Sequence, residues 1–214
     1  MSKTNTIKVR CPKCSEEFEA EAYVKVSSDD GNAREDIISG KLFDVTCPKC
    51  SGVLRLVYPI EFEDKENKVT YLLLSTDDAQ RFESSGKCAA YLEKGKLRIV
   101  CTQGDLREKV SMLAAGYDDR IIEMCKLMVK EAVTLQHQGN VKKIYFNCTD
   151  KENLKYDILT DDGTMYVTAD TEVYNRLISI EGISEILEKT ERDVMIDEIW
   201  ADEKMGGSSF DDTV

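Results

Sequence analysis

Cys11-Pro12-Lys13-Cys14 recurs as Cys47-Pro48-Lys49-Cys50, with 32 residues between the two copies. No other feature of the chain limits its folding as sharply. Two thiolates separated by two residues can face one ion from a single turn. Two such turns complete the tetrahedral sulfur shell that Zn²⁺ accepts, with Zn–S distances of about 2.3 Å. Proline after the first cysteine presets φ near about −65°, and the lysine inside each pair offsets part of the charge that four thiolates leave on a divalent ion. The spacing therefore predicts one structural Zn²⁺ per chain, held by Cys11, Cys14, Cys47 and Cys50 at two hairpin tips, as in a zinc ribbon. Serine follows each pair, at Ser15 and Ser51, where glycine would favour φ > 0. A strained or shifted turn is expected there.

The same pairs could serve as a redox dithiol, or hold iron in a rubredoxin-like site, but their surroundings favour a closed structural site. A catalytic zinc site keeps one position open and usually enlists histidine or carboxylate. This chain has one histidine, His137, about 90 residues beyond the second pair and read as a helix-end surface residue. Thioredoxin-like chemistry needs a Cys-x-x-Cys at a helix start, with its thiolate pKa lowered. Here both pairs follow strand-like residues, 7–10 and 42–46. No catalytic residue is assigned, and an enzyme is not expected.

With 214 residues and 42% hydrophobic content, the chain can bury a core without disulfides. The first residues lack the apolar segment of a signal peptide, and no run approaches the roughly 18 to 20 apolar residues of a membrane helix, so a cytoplasmic protein is expected. In a reducing compartment, eight cysteines argue for metal ligation and buried thiols. Cys88, Cys101, Cys125 and Cys148 are scattered singly and read as small buried hydrophobes, with a second metal site the lesser alternative. The net charge of −12 is unevenly spread: residues 1–147 balance, whereas residues 148–214 hold 6 basic against 18 acidic side chains. A nucleic-acid-binding ribbon would show a basic face. Only a local patch of Lys8, Arg10, Lys13, Lys25 and Lys49 could supply one.

Along the chain, Phe18, Ala20, Ala22, Val24 and Val26 alternate with polar residues, the pattern of a half-buried strand. Residues 33–38 can form a short helix, 53–58 and 69–74 read as strands, and the charged 63–67 between them reads as a turn. Residues 75–95 read as polar and mixed. A helix capped by Asp105 carries Leu106, Val110 and Leu113 on one face. A second, opened by Asp118-Asp119, carries Ile121, Cys125, Met128, Ala132 and Leu135 as its core stripe, with Arg120, Glu123 and Lys126 paired on its exposed face. Asp161-Asp162-Gly163 marks a hairpin, and helices are expected from Asp170 or Thr171, over 184–191 and around Trp200. The fold class is α+β. It comprises a zinc-ribbon-like antiparallel β module extended into a sheet with a helical pair (1–138), an acidic α+β region (139–205) and a disordered tail (206–214).

Beyond the cysteine pairs, residues 39–43 lead into the second pair and Tyr58-Pro59 follows it. Residues 97–100 then precede 106–109 and 118–123. In this order the stretches resemble the CpXC domain family of bacteria and archaea, over roughly residues 7–130. The resemblance implies the same four cysteines as metal ligands and carries no established activity. The reading that follows is a non-catalytic zinc-binding protein whose stapled sheet meets another macromolecule, most naturally a protein. One alternative is a metal-dependent enzyme using Asp118, Asp119 and Glu123. The other is a nucleic-acid-binding or redox-sensing regulator with a Cys11–Cys14 disulfide.

Overall fold

The computed structural model describes residues 2–136, 140–149 and 153–206, with the side chains of Cys148 and Thr149 excepted. His137 and the tail from residue 207 onward lie outside that range. The chain is mixed α+β and divides into two compact units, Met1–Arg107 and Glu108–Val214. The division falls inside a helix rather than after the helical pair, where the sequence suggested 138.

In the first unit, β1 (Lys3–Arg10) and β2 (Glu17–Ser27) form a long hairpin, followed by α1 (Ala33–Ser39), a 3-10 turn (Lys41–Phe43), β3 (Asp44–Thr46) and β4 (Val53–Arg55). Then come β5 (Ile60–Asp64), β6 (Val69–Leu73), α2 (Thr76–Ser84), α3 (Cys88–Leu92) and β7 (Lys96–Val100). Five strands make one sheet in the order β1-β2-β5-β6-β7, and among the described residues β3 pairs only with β4. The sheet is mixed, where an antiparallel one was expected: β2 runs parallel to β5, and β6 parallel to β7. Parallel neighbours need a crossover rather than a tight turn. Between β2 and β5 the chain makes α1 and the β3–β4 hairpin, and between β6 and β7 it makes α2 and α3.

Two segments differ from their sequence reading. Residues 60–64 form β5, which takes in Glu63 and Asp64 of the stretch read as a turn, because Ile60, Phe62 and Asp64 all point inward. Asp64 is wholly buried, yet it accepts from Arg34 Nη2 at 2.8 Å and from the Asn67 amide at 3.1 Å, which satisfies a charge that would otherwise be costly inside. The outward Glu61 and Glu63 flank Lys25 at 2.6 and 3.1 Å. The polar stretch after β6 is helical, started by the Ser75 hydroxyl accepting from the Asp78 amide while donating to its carboxylate. This reciprocal cap is visible as Ser-x-x-Asp in the sequence.

Gly95 sets the entry into β7. A Cβ there would stand 2.1 Å from the Lys68 carbonyl oxygen, the same oxygen that accepts from the Lys96 amide at 2.8 Å. A backbone atom cannot swing aside as a side-chain tip does. Gly95→Ala is therefore expected to cost about 2 to 3 kcal/mol, the upper range for forced overpacking, read as a lowered urea midpoint with an unchanged slope.

The connecting helix α4 (Gln103–Ala114) is capped by Thr102 rather than Asp105. Thr102 Oγ1 accepts from the Asp105 amide at 3.0 Å, and the Asp105 carboxylate takes the Thr102 amide at 3.1 Å. Beyond α4, the second unit holds α5 (Asp119–Gln136), β8 (Val141–Thr149), β9 (Asn153–Thr160), β10 (Gly163–Asp170), α6 (Thr171–Ser179), α7 (Ile183–Lys189) and α8 (Glu198–Lys204). Its sheet is an antiparallel meander in the order β10-β9-β8. A two-residue Asp161-Asp162 turn sets the register Gly163↔Thr160, and the Asp170 carboxylate caps α6 by accepting from the Glu172 amide at 2.7 Å. Ile144, Phe146, Leu154, Tyr156 and Ile158 line the buried sheet face, in one core with Ile121, Ile122, Cys125, Val129 and Val133 of α5.

That stripe corrects the one read from the sequence. Ile121 and Cys125 are buried, but Met128, Ala132 and Leu135 are exposed. Arg120, Glu123 and Lys126 are buried instead of solvated. Glu123 lies 2.8 Å from Lys109 and 2.9 Å from Lys126, and Lys126 also reaches Glu108 at 2.9 Å. The second oxygen of Glu123 meets Lys126 as a charge contact outside hydrogen-bond alignment. Burial raises Glu108 above the usual carboxylate range. Burial would raise Glu123 as well, but the ammonium groups of Lys109 and Lys126 outweigh it and hold its carboxyl below that range.

Candidate metal centre

Each Cys-Pro-Lys-Cys sequence forms the tip of a hairpin, the first between β1 and β2 and the second between β3 and β4. The two tips share one hydrogen-bond pattern. The Ser15 amide donates to the Cys11 carbonyl at 2.9 Å and the Cys11 amide to the Glu16 carbonyl at 2.8 Å. In the second tip the Ser51 amide donates to the Cys47 carbonyl at 3.0 Å and the Cys47 amide to the Gly52 carbonyl at 2.9 Å. The turns are not shifted: Ser15 and Ser51 adopt φ of 60° and 55°, the left-handed conformation that costs an L-residue roughly 1 to 2 kcal/mol. Ser51→Gly should relieve part of that strain, and a gain of about 0.5 to 1 kcal/mol is expected in thermal melts of the metal-loaded protein.

The tips bring the four sulfurs together within 4.8 Å of one another. Cys11 Sγ lies 3.7 Å from Cys50 Sγ, and Cys14 Sγ lies 3.6 Å from Cys47 Sγ. A tetrahedron with metal–sulfur bonds of about 2.3 Å has edges of about 3.8 Å, so the donor set fits a divalent ion that favours four thiolates. The first cysteine of each pair is buried and the second is half-buried. Gly52 leaves room for the sulfur beside it, since a Cβ there would stand 3.3 Å from Cys50 Sγ. Lys49 crosses from the second tip to Glu16 beside the first at 2.9 Å, a link between the tips that the sequence reading did not find.

The thiols perturb one another. The Cys14 amide donates to Cys11 and, against burial, lowers its thiol to about 7. Cys14 takes the Glu16 amide, which lowers it, but burial and the three neighbouring thiols win and push it up to about 12. Four thiolates cannot share this space unaided, and either protons or a cation must neutralise them. When bound, a metal ion would supply that charge and cross-link the two hairpins.

Among the described residues, no other group of three or more histidine, cysteine, aspartate or glutamate side chains converges in this way. The carboxylates weighed for acid–base work are engaged elsewhere. Asp118 grips Arg120 at 2.7 Å, Asp119 lies 3.5 Å from Lys109, and Glu123 bridges two lysines. Burial would raise Asp118, but the Arg120 guanidinium keeps its carboxyl below the usual range. Cys88 and Cys101 are half-buried, while Cys125 sits in the core, where burial pushes its thiol up to about 12. The seven cysteines with described side chains are all free of disulfides, and Cys148 lies outside that set.

The model of the CpXC protein family matches residues 9–126, more than half of the chain. The chain belongs to the CpXC family. The match takes in both cysteine tips, the five-stranded sheet from Val9 onward, and the helical charges as far as Lys126, and it stops before β8. No curated protein and no solved structure matches the chain. In this CpXC protein, then, the cysteine cluster lies in the family region, and the β8–β10 meander with α6 to α8 lies beyond it.

Proposed function

We propose that this CpXC protein binds one structural Zn²⁺ through Cys11, Cys14, Cys47 and Cys50, and that it is a non-catalytic cytoplasmic protein whose metal-stapled β module meets another protein. The observation that carries this reading is the four-sulfur cluster, with edges of 3.6 and 3.7 Å between the tips. Four thiolates fill a tetrahedral ion and leave no position for substrate or water, which favours a structural role over a catalytic one. A reducing compartment agrees with the seven free thiols, and no described helix is long and apolar enough to cross a membrane.

Protein is favoured over nucleic acid as the partner because the basic patch is locally neutralised. Lys25 is held by Glu61 and Glu63, and Lys49 by Glu16. Lys8 and Arg10 stand opposite Glu19 and Glu17 in the β1–β2 register. Little net positive charge is left to displace counterions from a phosphate backbone.

Native mass spectrometry of protein prepared without added metal tests the reading. One zinc per chain is expected. A second equivalent, or a metal other than zinc, would move the assignment away from a closed zinc staple and toward metal-dependent chemistry.

A further inference from the structure

The last turns of α5 and the length of α8 enclose a groove of about 580 Å³ in the second unit. Its apolar part is formed by Leu127 on the edge of the core and by Leu135 and Ile199, which are 88% and 70% exposed. Exposed singly, such side chains are ordinary, but gathered with Leu127 in one groove they form the contiguous apolar patch that marks an interaction site. The polar rim is acidic. Lys130 is already held by Glu198, and Glu131 and Asp202 are the charges of the lining with no ion-pair partner among the described residues. α5 also ends without a basic side chain in its last turn, so its terminal carbonyls add negative potential at the same end.

We propose that this groove receives an amphipathic helix of another protein, one that carries aliphatic anchors at i, i+3 or i+4, and i+7, flanked by lysine or arginine. Apolar anchors answer Leu135 and Ile199, and the basic flanks answer Glu131, Asp202 and the α5 C-terminus. This is the helix-in-groove mode, in which apolar spacing supplies affinity and charge selects the partner. A second copy of the chain fits poorly, because it would set the same two acids against themselves. The inference concerns residues remote in sequence from the cysteine tips and does not rest on the zinc reading.

Trp200, the only tryptophan of the chain, is buried in the core and donates its indole N–H to Asp193 at 2.8 Å, away from the groove lining, so binding is read by isothermal titration calorimetry. The full chain is titrated with two synthetic helical peptides sharing one leucine face, one flanked by lysine and the other by glutamate. The lysine peptide is expected to bind about tenfold or more tighter than the glutamate peptide. Ile199→Asp should weaken it by a similar factor at an unchanged melting temperature, since Ile199 is mostly outside the core. Equal binding of the two peptides, no binding of either up to about 1 mM, or indifference to Ile199→Asp would overturn the proposal. A concentration-dependent dimer abolished by Ile199→Asp would assign the groove to a second copy instead, and binding seen only in a Phe210→Ser variant would assign it to the chain's own C-terminal residues.

Discussion

Cys47→Ser is expected to release the metal and unfold both hairpin tips, seen as a loss of strand signal in circular dichroism and of the metal in mass spectrometry. The second tip has little else to hold it. β3 and β4 are three residues each and among the described residues pair only with one another, and an isolated two-stranded hairpin is marginal in water. Val53 and Val57 are exposed, and the base is anchored by buried Phe43, tilted at 57° against Tyr58 with ring centroids 5.4 Å apart, and by the half-exposed Arg55–Asp44 pair at 2.8 Å. Structural zinc contributes about 10 to 16 kcal/mol of apparent binding energy in small zinc modules. Losing half of that, about 5 to 8 kcal/mol, matches the lower end of a whole domain's stability, about 5 to 15 kcal/mol. A strong chelator should reproduce the effect in the unsubstituted protein. Unchanged circular dichroism and melting after complete metal removal would show that the cluster is no staple.

Replacing Glu123 by glutamine should destabilise the second unit by about 3 kcal/mol, the lower end of what breaking a buried ion pair costs. The amide keeps the shape but leaves Lys109 and Lys126 without a carboxylate they both touch. The cost stays at the lower end because Lys126 retains Glu108 and Lys109 retains Asp119. The pH dependence follows from the direction of the Glu123 shift. Its carboxyl is held below the usual range in the folded protein, so its contribution is present above the unfolded value of about 4.3 and is lost as pH falls through the depressed folded value. The stability gap between the original chain and Glu123→Gln should therefore be widest near neutral pH and close in acid. A gap independent of pH would mean that the substitution acts through packing. Adding Lys109→Met to Glu123→Gln should recover part of the loss, since it removes one of the stranded charges.

Where the sequence was legible, the signal was local. Cys-x-x-Cys places both sulfurs through one turn, and the Asp161-Asp162 turn and Asp170 cap likewise act over two or three residues. The β2 alternation was real but uneven, with Ala22 and Val26 buried and Val24 exposed. The errors share a different cause. The charge of 63–67 read as a turn, Glu63 and Asp64 included, because nothing nearby announces that Arg34, thirty residues earlier, will meet Asp64. On α5, 3.6-residue spacing admits two neighbouring stripes, and an approximate period cannot say which one the sheet will cover.

The sequence by itself therefore determined the four cysteines, their two turns, the family and the α+β class, all carried by short-range geometry or by residue order. Tertiary structure alone decided that the sheet is mixed, that the sulfurs meet at 3.6 and 3.7 Å, and that Glu108, Lys109, Glu123 and Lys126 are buried. It also decided that Leu135 and Ile199 stand in solvent. Each of these depends on which distant surface excludes water from a side chain, and burial of that kind is a property of pairs of elements that no single segment encodes.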